Sequence, residues 1–172
     1  AQRLYAQGVV VEPGEVFWER FGHIAILVED PDTGAATSYN FGFFDMGEPG
    51  FLGNFVRGRM MYYLIPLALD EDLAQYREEG RGVTVQWLAL DPAQARELEQ
   101  DLADNARPEH RRYRYDYYLD NCSTRVRDAL DRALGGSLKE QLSGRSRGNT
   151  WRSESVRLAW PAKWMAFGFH VG

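Results

Sequence analysis

The only cysteine of this 172-residue chain, Cys122, lies in YLDNCSTRVRDALD (Tyr118 to Asp131), where a polar turn gives way to a helix. Two readings of it stand. Cys122, Val126, Ala129, Leu130, Ala133 and Leu134 recur at helical spacing on one stripe. That turns the cysteine inward, and a free cysteine is among the most buried residue types. Position argues for chemistry. Asp120 and Asn121 are both good N-caps, and either choice puts Cys122 in the first helical turn. There the unpaired backbone N–H groups and the positive end of the helix dipole favour a thiolate. The same N–H groups can hold the oxyanion of a tetrahedral intermediate.

A thiol nucleophile needs a base, and the chain has three histidines. His110 follows Ala-Arg-Pro-Glu in a polar connection, and His170 is two residues from the end. His23 lies in FGHIAILVED (Phe21 to Asp30). Ile24, Ile26 and Val28 line one face of that segment and His23, Ala25 and Leu27 the other, which predicts a central strand. An imidazole in such a strand is costly unless something pairs with it. Cys122 and an amide on the next strand are available partners. DPDTG (Asp30 to Gly34) reads as a turn. ATSYNFGFF (Ala36 to Phe44) reads as the returning strand, with Tyr39, Phe41 and Phe43 on an aromatic face and Ser38, Asn40 and Gly42 on a small, polar one. A turn centred near residue 32 or 33 sets His23 across from about residue 42, with Asn40 a near neighbour. An Asn beside the imidazole would fix its tautomer and orientation. The competing reading of Asn40 is a strand-end polar residue facing water.

Other elements must position these residues. GRMMYYLIPL (Gly58 to Leu67) and GVTVQWLAL (Gly82 to Leu90) read as strands. DEDLAQYREEG (Asp70 to Gly80) reads as a short helix with Asp70 as cap, and DPAQARELEQDLADNA (Asp91 to Ala106) as a helix opened by Asp91 and Pro92. YRYDYYL (Tyr113 to Leu119) is a short strand or an extended lead-in to the cysteine helix, which stops at Gly135-Gly136. Asp45 to Asn54 reads as a loop, Ser143 to Ser155 as loop-rich, and Val156 to Gly172 as an edge strand interrupted by Pro161. Strands and helices mix without regular alternation, so the expected class is α+β in one domain, residues 1–172.

Composition narrows the partners. With 44% hydrophobic and 13% aromatic residues the chain can bury a core unaided. One cysteine excludes an internal disulfide and any CxxC zinc framework. A metal site from His23, Cys122 and a carboxylate lacks recognisable ligand spacing, and no cofactor is expected. The net charge of −5 argues against nucleic acid. No apolar run approaches the roughly 20 residues of a membrane span, and AQRLYAQGVV has no signal-peptide pattern. Phe51 to Tyr63 mixes aromatic residues and methionines with arginines, which suits a membrane-facing surface or a core strand with a basic edge. Arg125, Arg127 and Arg132 lie off the apolar stripe, solvated or paired with Asp128 and Asp131.

FGHIAILVED, SYNFGFFDM, RYDYYLDNCSTRVRD and AWPAKWMAFGFHVG together resemble the bacterial Lnb N-terminal periplasmic domain family, from about Phe17 to Gly172. The resemblance implies a relation to permuted papain-like proteins of the NlpC/P60 type, which include lecithin:retinol acyltransferase-like enzymes. It implies an antiparallel sheet packed against a helix that carries the cysteine at its N-terminus. In the permuted order the histidine strand comes first, as His23 precedes Cys122 here. By the resemblance Cys122 is the nucleophile, His23 the base and Asn40 the third residue. Many of the acyltransferase-like enzymes carry a second histidine near that third place, where this chain does not. The implied activity moves the acyl chain of a lipid or lipoprotein through a thioester, by transfer or hydrolysis, at a membrane surface. The implied setting is the periplasm, with the domain tethered to a membrane in the full-length protein. The alternatives are a cell-wall peptidase or amidase of the NlpC/P60 type and a catalytically inactive binding module.

Overall fold

The two-sided strand predicted around His23 is the organising element. The computed structural model describes residues 3–57, 59–145, 148–160 and 162–171. In chain order it contains β1 (Tyr5–Val11), β2 (His23–Asp30), β3 (Ala35–Phe43), α1 (Phe51–Val56), β4 (Met61–Ala68), α2 (Leu69–Glu78) and β5 (Val83–Trp87). There follow α3 (Pro92–Asn105), β6 (Arg112–Arg114), α4 (Cys122–Ala133), α5 (Ser137–Leu142), α6 (Trp151–Ala159) and α7 (Lys163–Val171). The strands form one sheet in the order β5-β1-β2-β3-β4-β6, and every pairing is antiparallel. The protein is α+β.

The β2–β3 turn sets the register that matters. Asp30 accepts the Asp32 N–H on its side chain at 2.9 Å and the Gly34 N–H on its carbonyl at 2.7 Å. Gly34 takes φ +75°, which a side chain would resist. Ala25 consequently faces Asn40, the register expected for a turn centred between residues 32 and 33.

Both faces of the sheet are covered. On one, Ile26, Val28, Tyr39, Phe41 and Leu64 pack against Leu98 and Leu102 of α3 and Val126, Ala129 and Ala133 of α4. On the other, Val9, Val11, Ala25 and Leu27 pack against Tyr76 of α2. Alternation along β3 therefore sends its aromatic residues toward α4 and its polar ones, Ser38 and Asn40, under α2, where both are fully buried. Buried polar groups must find partners in the protein.

Several expectations are corrected. The segment Tyr5–Val11, given no element from sequence, is a central strand between β2 and β5. The Asp45–Asn54 loop runs into α1. Ala68 rather than Asp70 caps α2, without a side-chain hydrogen bond. Of Tyr113–Leu119 only the start belongs to a strand, and Asp116 and Asp120 then form an isolated bridge. The expected edge strand at Val156–Gly172 is instead the end of α6 followed by α7. Ala159, Ala162, Met165 and Ala166 share one buried stripe with Val156 and Phe21, a spacing that matches a helix period and not a strand. Thr150 caps α6 through a capping box with Ser153, so the loop-rich stretch ends there. Pro161 and the side chain of His170 lie outside the described residues.

Candidate functional site

The lead-in to α4 is tied down by local hydrogen bonds. Asp116 accepts the N–H groups of Tyr118 and Leu119, each at 2.9 Å. Asn121 has extended backbone at φ −129°, and its side chain accepts the Thr124 N–H at 3.1 Å. Thr124 returns the contact by accepting the Asn121 N–H at 2.8 Å, and Asn121 Nδ2 donates to the Tyr117 carbonyl at 2.8 Å. Such a cap is worth about 1 kcal/mol. It makes Cys122 the first residue of α4. Its N–H and that of Ser123 belong to the turn whose amides lack intrahelical acceptors.

The thiol lies against the sheet. Cys122 packs against the core through the α4 face and is half-buried. The His23 side chain, the Ile24 backbone N–H and the Ser123 side chain surround it closely enough to favour its charged form. His23, also half-buried, opens β2. Its Nε2 lies 2.9 Å from Asn40 Oδ1, so Nδ1 is the ring nitrogen left for the sulfur.

Asn40 is held from all sides. Its Nδ2 donates to Ser38 Oγ at 3.1 Å and to Asp72 Oδ2 at 3.2 Å. Its Oδ1 accepts the Tyr76 hydroxyl at 3.3 Å as well as facing His23. Ser38 donates its own proton to Asp72 Oδ2 at 2.5 Å. Because Nδ2 points at oxygen acceptors, Oδ1 must point at His23, and Nε2 must carry a proton to meet it.

The electrostatics of the two half-buried groups agree with each other. Burial is the largest influence on both, pushing the thiol up and the imidazole down. For Cys122 it is outweighed by the hydrogen bond and charge of His23, with help from the Ile24 N–H and Ser123, so the thiol lies below its ordinary range. For His23 burial is outweighed by the hydrogen bond and charge of Cys122, then by Asn40 and the Asp72 charge, so the imidazole lies above its ordinary range. Opposite shifts of this kind are the mark of a thiolate–imidazolium pair. The Tyr76 hydroxyl is pushed up by burial and by Asp72, which keeps its proton available to Asn40.

The structure thus brings Cys122, His23 and Asn40 together, and the water-facing reading of Asn40 does not hold. His110 is elsewhere occupied, 3.1 Å from Asp104 and exposed. Arg127 pairs with Asp128 as expected, but Arg125 pairs with Asp120 and Arg132 with Asp101 of α3. Phe51–Tyr63 leads into an interior strand: Met60 is buried and β4 lies between β3 and β6. Among the described residues no group of three or more His, Cys, Asp or Glu side chains could hold a metal ion. Sequence reasoning missed Asp72 and Tyr76. Their four-residue spacing puts both on the inward side of α2, the one available signal, but the acidic residues there read only as the marks of a helix start.

A family model described as the Lnb N-terminal periplasmic domain matches residues 1–157, which include all of these side chains. No curated protein and no solved structure matches the chain.

Proposed function

Starting from a chain that belongs to the Lnb N-terminal periplasmic domain family, we propose that this domain is a cysteine-dependent acyltransferase or acyl hydrolase with a permuted papain-like fold. The observation that supports it most is the placement of Cys122, first residue of α4, beside His23, whose Nε2 lies 2.9 Å from Asn40 Oδ1. Cys122 acts as nucleophile, His23 as base and acid, and Asn40 as the residue that orients the imidazole.

In the proposed reaction the Cys122 thiolate attacks the carbonyl carbon of an ester or amide. The carbonyl electrons move to oxygen, which the first-turn N–H groups of α4 stabilise. The tetrahedral intermediate collapses with cleavage of the bond to the leaving group, which takes the proton from His23. A thioester remains on Cys122. An amine or a water molecule then attacks it while neutral His23 removes the proton of the attacking group. Collapse releases the acylated product and restores the thiolate beside imidazolium. A thioester suits transfer to an amine, since it forms readily from a thiolate and reacts well with nitrogen nucleophiles.

The surface near the site supports a lipid substrate. Trp151, Leu158, Trp160, Trp164 and Phe167 of the α6–α7 hairpin are exposed. The hairpin is fastened to the Cys122 end of the molecule: Tyr118 meets Ser155 at 3.0 Å and Trp151 at 5.4 Å between rings, and Phe21 packs into its core. From Ser143 to Gly172 the chain has five Lys or Arg and one Glu, against a whole-chain charge of −5. Exposed tryptophans among basic side chains favour a lipid interface. Among the described residues no helix is long and apolar enough to cross a membrane, so this domain would meet the bilayer from the periplasmic side, on an acyl-lipid or lipoprotein substrate.

The test is incubation with diacyl phospholipid or acylated lipopeptide on one hand and muropeptide on the other, followed by intact-protein mass spectrometry. A hydroxylamine-labile acyl adduct on Cys122 from the lipid substrates supports the proposal. Cleavage of muropeptide alone makes it a cell-wall peptidase or amidase, and an inert thiol makes it a binding module.

A further inference from the structure

Behind the three residues already described stands a fourth. We propose that Asp72 is a positioning residue that fixes the polarity of the Asn40 side-chain amide and, through it, the protonation pattern of His23. The inference rests on the Cys122–His23 reading above.

The two ends of an asparagine amide are almost the same shape, so shape alone does not orient it. If Asn40 were flipped, its NH2 group would face the His23 Nε2 proton, donor against donor. The hydrogen bonding decides the matter, and Asp72 controls it twice. Its Oδ2 accepts directly from Asn40 Nδ2 at 3.2 Å. The same oxygen takes the only proton of the Ser38 hydroxyl at 2.5 Å, which leaves Ser38 Oγ able only to accept from Asn40 Nδ2, at 3.1 Å. Tyr76, one turn further along α2, donates to the opposite end of the amide. A flip would therefore break contacts at both ends.

The cost of keeping Asp72 points the same way. It is 1% exposed, and its Oδ1 has no hydrogen-bond partner among the described residues. A buried carboxyl with one oxygen unmet is destabilising compared with an apolar side chain of similar size. Packing between α2 and the sheet gives no reason for it, whereas orientation of Asn40 does. Ser38 and Asn40 from β3 contact Asp72, Tyr76 from its own helix faces it, and its charge reaches His23 of β2. Arg81 lies over the Tyr76 ring at 5.3 Å, with Glu79 paired to it.

The experiment is the rate of Cys122 alkylation by iodoacetamide from about pH 4 to pH 10 in wild type, Asp72→Ala and Asp72→Asn, with thermal unfolding of each. Loss of the acceptor in Asp72→Ala should lower the neutral-pH rate about tenfold, the worth of one hydrogen bond, and narrow the fast plateau. Asp72→Asn keeps an acceptor oxygen and should recover most of the rate. A residue that only packs would alter the unfolding temperature and leave the pH profile in place. A fast wild-type thiol with an unchanged Asp72→Ala profile overturns this proposal alone. A wild-type thiol no faster than a free cysteine overturns it together with the enzyme reading. If Asp72→Ala does not fold, Ser38→Ala removes one of the two routes to Asn40 and should slow neutral-pH alkylation about threefold; an unchanged profile there is also a refutation.

Discussion

Replacing His23 by alanine isolates what holds the Cys122 thiolate. In the intact site burial opposes the charged sulfur, and His23 supplies the two largest opposing influences, a hydrogen bond and a positive charge. His23→Ala removes both. The Ile24 N–H and Ser123 remain, as does the helix end. A hydrogen bond to a charged group contributes about 1.5–3 kcal/mol, and each 1.36 kcal/mol is tenfold. Alkylation at pH 7 should therefore slow by roughly ten- to a hundredfold. The sign with pH follows from the directions of the two shifts. A lowered thiol and a raised imidazole give a fast plateau that begins below the ordinary thiol range and ends where His23 loses its proton. In His23→Ala the low-pH part of that plateau should vanish, while rates at pH 10 converge on wild type because the thiol ionises in both. The assay is iodoacetamide labelling followed by intact mass. An unchanged rate at pH 7 would refute the ion-pair argument. So would an equal slowing at every pH, since that would mean access to the sulfur had changed and not its ionisation.

Cys122→Ser changes one atom at a half-buried position, so adduct formation on lipid substrate should disappear while the melting temperature stays within a few degrees. A serine variant that still turns over substrate would remove Cys122 as nucleophile. Asn40→Ala leaves the Tyr76 hydroxyl and His23 Nε2 short of a partner, and urea unfolding should register a loss of about 2–6 kcal/mol at roughly 1–3 kcal/mol for each of these two groups; a loss under about 1 kcal/mol would mean the buried network repairs itself. Trp160→Ser with Trp164→Ser should reduce sedimentation with vesicles rich in anionic phospholipid, and raised salt should do the same through the basic side chains. Equal binding to neutral vesicles, or no effect of the substitutions, would argue against a lipid-facing hairpin.

What was legible in the sequence is what short-range physics decides. The alternation along Phe21–Asp30 and Ala36–Phe44 assigned both faces of the hairpin, and a turn near residue 32 or 33 made Asn40 a neighbour of His23, but the register and the choice against a water-facing Asn40 came only with the structure. The cap at Asn121 acts within four residues, so the place of Cys122 at a helix start was legible too. The apparent choice between an inward and a reactive cysteine dissolves in three dimensions. Cys122 touches the core cluster and, at the open end of α4, also reaches His23. Other features depended on contacts the chain makes with distant parts of itself. Tyr5–Val11 becomes a strand because β2 and β5 offer it two edges. The apolar stretch after Val156 becomes helical because its stripe has Phe21 to pack against. Asp72 drew no attention at an acidic helix start; it is buried because α2 folds over β3, bringing it to Ser38, 34 residues earlier. Local patterns can state which residues are able to pair. Which of them leave water, and so must pair, is decided only when one element covers another, because the cost of an unmet polar group arises only on burial.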